Sequence, residues 1–321
     1  MAIRDIITPD FIKNTYILGV DLTLDDGTPY PDEIFEQAID SAINMIELEL
    51  GITIDEFTVK GERHDARVEH RDSWWPFKLD HHPVKSIDNL RIELGNNRSA
   101  VLPTSWALLT SGQHGQVNVV ATANEVGSFY FTSGVPLLFG DVFNPQAYVP
   151  GYFTLDYTAG FHFVDGVAVI PQGDTSVEVT LATPIEGVKP TVILTVQDAQ
   201  GGAGARVRSS GTHSFTISVT TAPTTGDMTI AYTMHTVDPL LIKAIGLTAA
   251  ISPLDIAGDL IAGAGIGSFS VGVDGLSQSI ATTASATSAG YGARIISYQK
   301  QLKDTIEALK AKYRTINIFS V

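Results

Sequence analysis

The stretch that most constrains this chain is LIAGAGIGSFSVGVDGLSQSIATTASATSAG, residues 260–290, set between two segments that read as helices. Gly263, Gly265, Gly267, Gly272 and Gly275 leave its backbone permissive, and on composition alone it describes a disordered tether. Ile266, Phe269, Val271, Val273, Leu276 and Ile280 interrupt that composition with apolar side chains that a solvated tether lacks. We therefore expect an extended arm, with a short strand at Ser270–Val273, whose apolar residues dock on something other than their own core.

The flanking segments carry helix signals. Asp238 before Pro239 offers a carboxylate to free backbone N–H groups, and the proline stands where its missing N–H costs nothing. Leu241, Ala244, Ile245, Thr248 and Ile251 then recur at helical spacing through DPLLIKAIGLTAAIS. In AGYGARIISYQKQLKDTIEALKAKYRT the stripe is Ile295, Tyr298, Leu302, Ile306, Leu309 and Tyr313. Lys310, Lys312 and Arg314 suit the negative end of that helix. A third helix is expected from Asp32 to Leu50, with Phe35, Ile39, Ala42 and Ile46 on one stripe and Gly51 as its stop. Residues 1–31 read as an extended lead-in with turns at Thr8-Pro9-Asp10 and Asp26-Gly27-Thr28-Pro29.

Between the helices the pattern turns to strands. Short β-rich runs fill Phe57 to Phe161, among them Ser86–Leu94, Ala107–Leu109, Val117–Val120, Ser128–Phe131 and Phe153–Tyr157, and Asn96-Asn97 fits a hairpin turn. Residues 164–236 form a block with few charges and strand candidates at Ala168–Ile170, Ser176–Leu181, Thr191–Val196, Ala205–Arg208, Ser214–Val219 and Met228–Met234. Such spacing predicts an inserted immunoglobulin-like β-sandwich whose ends come back together. The expected class is α+β: a small helical core, a β-rich domain and that sandwich. The expected division is 1–58 lead-in and helix, 59–161 β-rich domain, 162–236 sandwich, and 237–321 core helices with the arm.

The chemistry to be excluded is broad. The 321-residue chain carries a formal charge of −15, which argues against a surface that grips nucleic acid but suits a pore through which DNA slides. Cysteine is absent, so thiolate metal sites and disulfides are excluded. No signal peptide is visible, and the apolar runs read as too short to span a membrane. Asp80, His81 and His82, with His64, Asp65 and His70 nearby, invite a metal site, but neighbouring strand residues point to opposite faces. Glu62, Asp65, Glu69 and Asp72 near Trp74 and Trp75 invite a glycosidase pair, though such acids are usually solvated surface. The aromatic cluster Trp74, Trp75, Phe77 and Leu79 reads as core or subunit contact rather than as a stacking platform. Nucleophile elbows, P-loops and HExxH motifs are absent. No catalytic, cofactor or metal residue is expected.

Three stretches carry a family likeness: DEIFEQAIDSAINMIELELGI; then WWPFKLDHHPVKSIDNLRIELG with PTSWALL and PGYFTLDYTAGF; then DPLLIKAIGLTAAISPLDIAGDLIAGAG with VDGLSQSIATTASATSAGYGARI. Together they resemble the head–tail connector (adaptor, or head-completion) proteins of long-tailed bacteriophages. The resemblance implies a non-enzymatic virion protein of the neck, made in the host cytoplasm. It implies a ring, commonly of twelve copies, that attaches below the portal protein, extends the DNA channel and docks the tail terminator or a neck stopper, with no membrane. The chain departs from the simple pattern in its β-rich block after Tyr157–Phe161, which is expected to face outward. Candidate contact residues toward portal or neighbour are Ile266, Phe269, Val271, Val273, Leu276, Ile280, Tyr291 and Arg294. To these are added Ile316, Ile318 and Phe319 in a terminal segment that reads as a strand in search of an edge, in a partner or in its own subunit. A surface- or carbohydrate-binding module and, further off, a wall-degrading hydrolase are the rival readings.

Overall fold

The computed structural model describes residues 2–24, 27–67, 70, 74–93, 99–120, 148–182, 190–196, 204–262, 268–273, 276–281 and 291–313. The fold is α+β and divides into two compact units, one of Met1–Leu50 with Phe163–Arg314, the other built on Gly51–His162.

The first unit holds the helical core. Helices α1 (Pro9–Thr15), α2 (Asp32–Leu50), α3 (Pro239–Ala262) and α4 (Gly292–Tyr313) pack with α3 against both α2 and α4. Phe35, Ile39, Ala42 and Ile46 of α2 are buried as their spacing requires, and so are Ile295, Leu302, Leu309 and Tyr313 of α4. Asp238 caps α3 by accepting the Leu240 N–H at 2.8 Å, and its other oxygen takes Lys312 Nζ at 2.6 Å. That pair ties the start of α3 to the end of α4, so Lys312 has a specific partner beyond the helix dipole.

Three expectations need correction here. The lead-in is not merely extended: Ile3–Asp5 form a 3-10 turn, and Thr8 Oγ1 accepts the Phe11 N–H at 3.2 Å to open α1 with Pro9 at its first position. Burial of Ile3, Ile7, Ile12 and Ile17 drives this local winding. Helix α3 does not stop at Ser252 but runs through Pro253 to Ala262. An interior proline costs about 3 kcal/mol; the burial of Leu254 and Ala257 beyond it outweighs that penalty. The segment Pro239–Gly258 is also long and apolar enough to cross a membrane by length and composition alone. More than half of it is buried within the chain, and its composition answers to the core between α2 and α4.

The same unit carries the sandwich, with strands β8 (Phe163–Ile170), β9 (Ser176–Thr180), β10 (Thr191–Val196), β11 (Ala205–Ser210), β12 (Ser214–Val219) and β13 (Met228–His235). They form two three-stranded antiparallel sheets, ordered β10-β13-β8 and β11-β12-β9. Ile170, Phe215, Ile217, Ile230 and Met234 fill one core between them. If β9 to β13 stand for strands B to F of an immunoglobulin domain, the sheet orders match, with β8 where strand G would lie. Phe163 and His235 are cross-strand partners, so the block begins and ends at one point.

The second unit packs a four-stranded sheet, β1-β7-β3-β4 (β1 Phe57–Arg67, β3 Val84–Glu93, β4 Ser99–Leu102, β7 Tyr148–Ala159), on a three-stranded one, β2-β6-β5 (β2 Pro76–Lys78, β5 Ala107–Ser111, β6 Gln116–Val119). Leu79, Leu90, Ile92, Trp106, Val117 and Phe153 lie in its single core. The Tyr157–Phe161 stretch closes this unit: Gly160 N–H donates to Pro83 O at 2.8 Å and Phe161 N–H to Ile54 O at 2.9 Å. The candidate strand Ser128–Phe131 and the turn at Asn96-Asn97 lie outside the described residues, although β3 and β4 pair on either side of that turn.

Candidate functional site

The arm between α3 and α4 is a hairpin, not a single extended segment. Strands β14 (Ser268–Val273) and β15 (Leu276–Ala281) pair antiparallel from Ser268↔Ala281 to Val273↔Leu276. Only Asp274-Gly275 separates them in sequence, and Asp-Gly is the strongest short-range hairpin signal. The register sorts the hairpin into two alternating sets. Phe269↔Ile280, Val271↔Gln278 and Val273↔Leu276 form one, apolar but for Gln278; Ser268↔Ala281, Ser270↔Ser279 and Gly272↔Ser277 form the other, all small. Because side-chain positions alternate along a strand, the two sets belong to opposite faces. Among the described residues the hairpin is a two-stranded sheet by itself, and no described strand pairs with either outer edge. A lone two-stranded hairpin is marginal in water, and open edges are templates for further pairing.

Five of the candidate contact residues, Phe269, Val271, Val273, Leu276 and Ile280, therefore share one register set. Tyr291 and Arg294 lie elsewhere, at the start of α4. Tyr291 O accepts the Arg294 and Ile295 N–H groups and so opens the helix. Arg294 donates to Tyr16 O at 2.7 Å, to Leu18 O at 3.3 Å and to the Tyr298 hydroxyl at 3.0 Å. Its guanidinium staples the N-terminal segment to α4 within the chain. Tyr298 adds a hydrogen bond to Tyr16 O at 2.5 Å, and the Tyr16 ring lies where a Cβ on Gly246 would come within 2.3 Å of it. Ile266, Ile316, Ile318 and Phe319 lie outside the described residues.

The residues that suggested chemistry are engaged by the fold. Glu62 accepts from Tyr157 Oη, from His64 Nε2 at 2.8 Å and from the Asp80 N–H at 2.9 Å. Burial alone would raise its pKa, but those donors hold it below the usual carboxylate range. Asp65 accepts from Tyr148 Oη at 2.5 Å and the Gly151 N–H at 2.8 Å. His64 stacks on Phe77, centroids 4.4 Å apart, and His81 meets Phe57 edge-on at 4.9 Å. His82 is buried with Nδ1 donating to Gln113 O at 3.1 Å. Among the described residues no three His, Asp or Glu side chains converge as a metal site would need; Glu69 and Asp72 lie outside them.

The aromatic cluster divides. Trp75 packs edge-on against Phe153 at 6.0 Å, Phe77 stacks on the same ring, and Leu79 is fully buried. Trp74 is 49% exposed and, like Trp75, has a positive φ, 60° and 39° respectively. On the sandwich, the β10-β13-β8 sheet exposes Val167, Val169 and Ile193 together with Asp165, and the other sheet exposes Glu178, Arg206 and Arg208. No protein-family model matches this chain, and no curated protein matches it.

Proposed function

We propose that the protein is a structural component of a tailed-phage neck: a ring-forming head–tail connector that attaches below the portal, extends the DNA channel and offers a docking surface to the tail terminator or stopper. The observation that carries this reading is the hairpin. It lies in sequence between two packed helices, it is apolar in one register set, and no described strand pairs with its outer edges; together these favour a partner outside the chain. The charge of −15 supports a channel that repels the duplex instead of holding it. The saturation of Glu62 and Asp65 by internal donors supports a non-catalytic role. Deleting Phe269–Ser288 is expected to leave a folded monomer that no longer assembles with portal, read by native mass spectrometry and electron microscopy. Complete necks built by the deleted protein would overturn the proposal.

A second reading takes the protein as a surface- or carbohydrate-binding module of the virion. The half-exposed Trp74 and the exposed Val167, Val169 and Ile193, with Asp165 beside them, favour it. Glycan-array binding abolished by Trp74→Ala would select this reading over the first.

A further inference from the structure

The hairpin edges specify how copies of this chain meet. We infer that β15 of one copy pairs edge to edge with β14 of the next, so that the hairpins of a ring close into one continuous antiparallel band. The inference rests on the ring reading above and names the surface that reading leaves open.

Four observations converge. Both strands are six residues long and paired along their whole length, so each outer edge presents a matching row of backbone donors and acceptors. The strands run antiparallel within the hairpin, so placing β15 of one copy beside β14 of the next continues the same alternation. Repeated around a ring, that contact leaves no open edge, whereas a two-fold contact between two hairpins leaves two. Finally, none of the residues of Ser268–Val273 and Leu276–Ala281 is charged. In a chain of charge −15, copies must meet where like charges do not oppose them, and these strands provide such a place.

The alternation then fixes the character of the band. Its two faces carry the two register sets, one apolar and one of serine, glycine and alanine. The apolar face supplies a continuous seam for burial against other parts of the assembly. The small neutral face has no lysine or arginine with which to hold a phosphate backbone.

The chain has no cysteine, so introduced thiols report on this contact alone. Four single variants suffice: Ser268→Cys and Ser270→Cys in β14, Ser277→Cys and Ser279→Cys in β15. All four belong to the small set, so the apolar set is untouched. Each chain then holds one thiol and cannot close a disulfide on itself. Each β14 variant is mixed with each β15 variant, which samples several staggers between neighbouring hairpins. The assembled mixture is oxidised with copper phenanthroline in air. The expected result is a disulfide-linked dimer in at least one β14-with-β15 mixture and none from any variant alone. Dimers from single variants alone, or none in any mixture whose rings are intact by native mass spectrometry, would overturn the edge-to-edge contact and leave the ring standing. Wild-type protein that forms no ring, alone or with portal, would overturn both.

Discussion

Gly160 shows at the residue scale why a signature such as Tyr157–Phe161 has a glycine. Its φ is +105°, and a Cβ there would lie 2.4 Å from Asp55 O, so both conformation and space exclude a side chain. Gly160→Ala is expected to cost about 3 kcal/mol, a left-handed backbone penalty plus overpacking against a rigid carbonyl. A urea unfolding midpoint unchanged by the substitution would show that the loop yields freely. His82 sets a pH dependence. Burial, with the nearby positive charge of Lys78, pushes its pKa down from 6.5 to about 4. The unfolded chain therefore binds a proton that the folded chain refuses, and stability falls as pH drops from about 6.5 to about 4. His162 and His235, also held below their ordinary value chiefly by burial, act in the same direction. Glu62 and Asp156 add a separate loss only as pH falls through their depressed carboxylate range. In His82→Gln the slope of stability against pH between 6.5 and 4 should be shallower by the contribution of one proton; an unchanged slope would assign the effect elsewhere.

Among the elements, much was legible from periodicity alone. Helix α2 occupies the segment its Phe35–Ile39–Ala42–Ile46 stripe indicated, and Thr191–Val196 and Ser214–Val219 are strands with the expected bounds. What was missed has physical causes. The segment with legible helical spacing ends at Ser252, yet burial of Leu254 and Ala257 carries the helix on through Pro253; tertiary packing outweighs local preference. Thr8-Pro9 was read as a turn, although the same residues cap a short helix once Ile12 has a core to enter. The arm was half legible. Its apolar residues are legible in the sequence, but their common register follows only from strand pairing, for which Asp274-Gly275 is the local signal. The proposal that this set contacts other subunits gives a direct prediction: Val271→Asp should abolish assembly while leaving the thermal midpoint of the monomer within about a degree. A large loss of monomer stability would mean that Val271 belongs to the chain's own core.

For the whole molecule, the chain combines a packed helical core, a β-rich unit in which Glu62 and Asp65 accept hydrogen bonds from its own residues, and a sandwich inserted at the Phe163–His235 pair. An insert whose first and last residues are cross-strand partners enlarges the protein without disturbing the chain on either side. Among the described residues no strand pairs with the outer edges of the hairpin, and we propose that its partners are other subunits. Electron microscopy of the purified protein mixed with portal tests this most directly. The expected result is a closed ring coaxial with the portal, with continuous density joining neighbouring copies through the segment between α3 and α4. A monomer that adds no density to the portal, with that segment packed against its own chain, would contradict it.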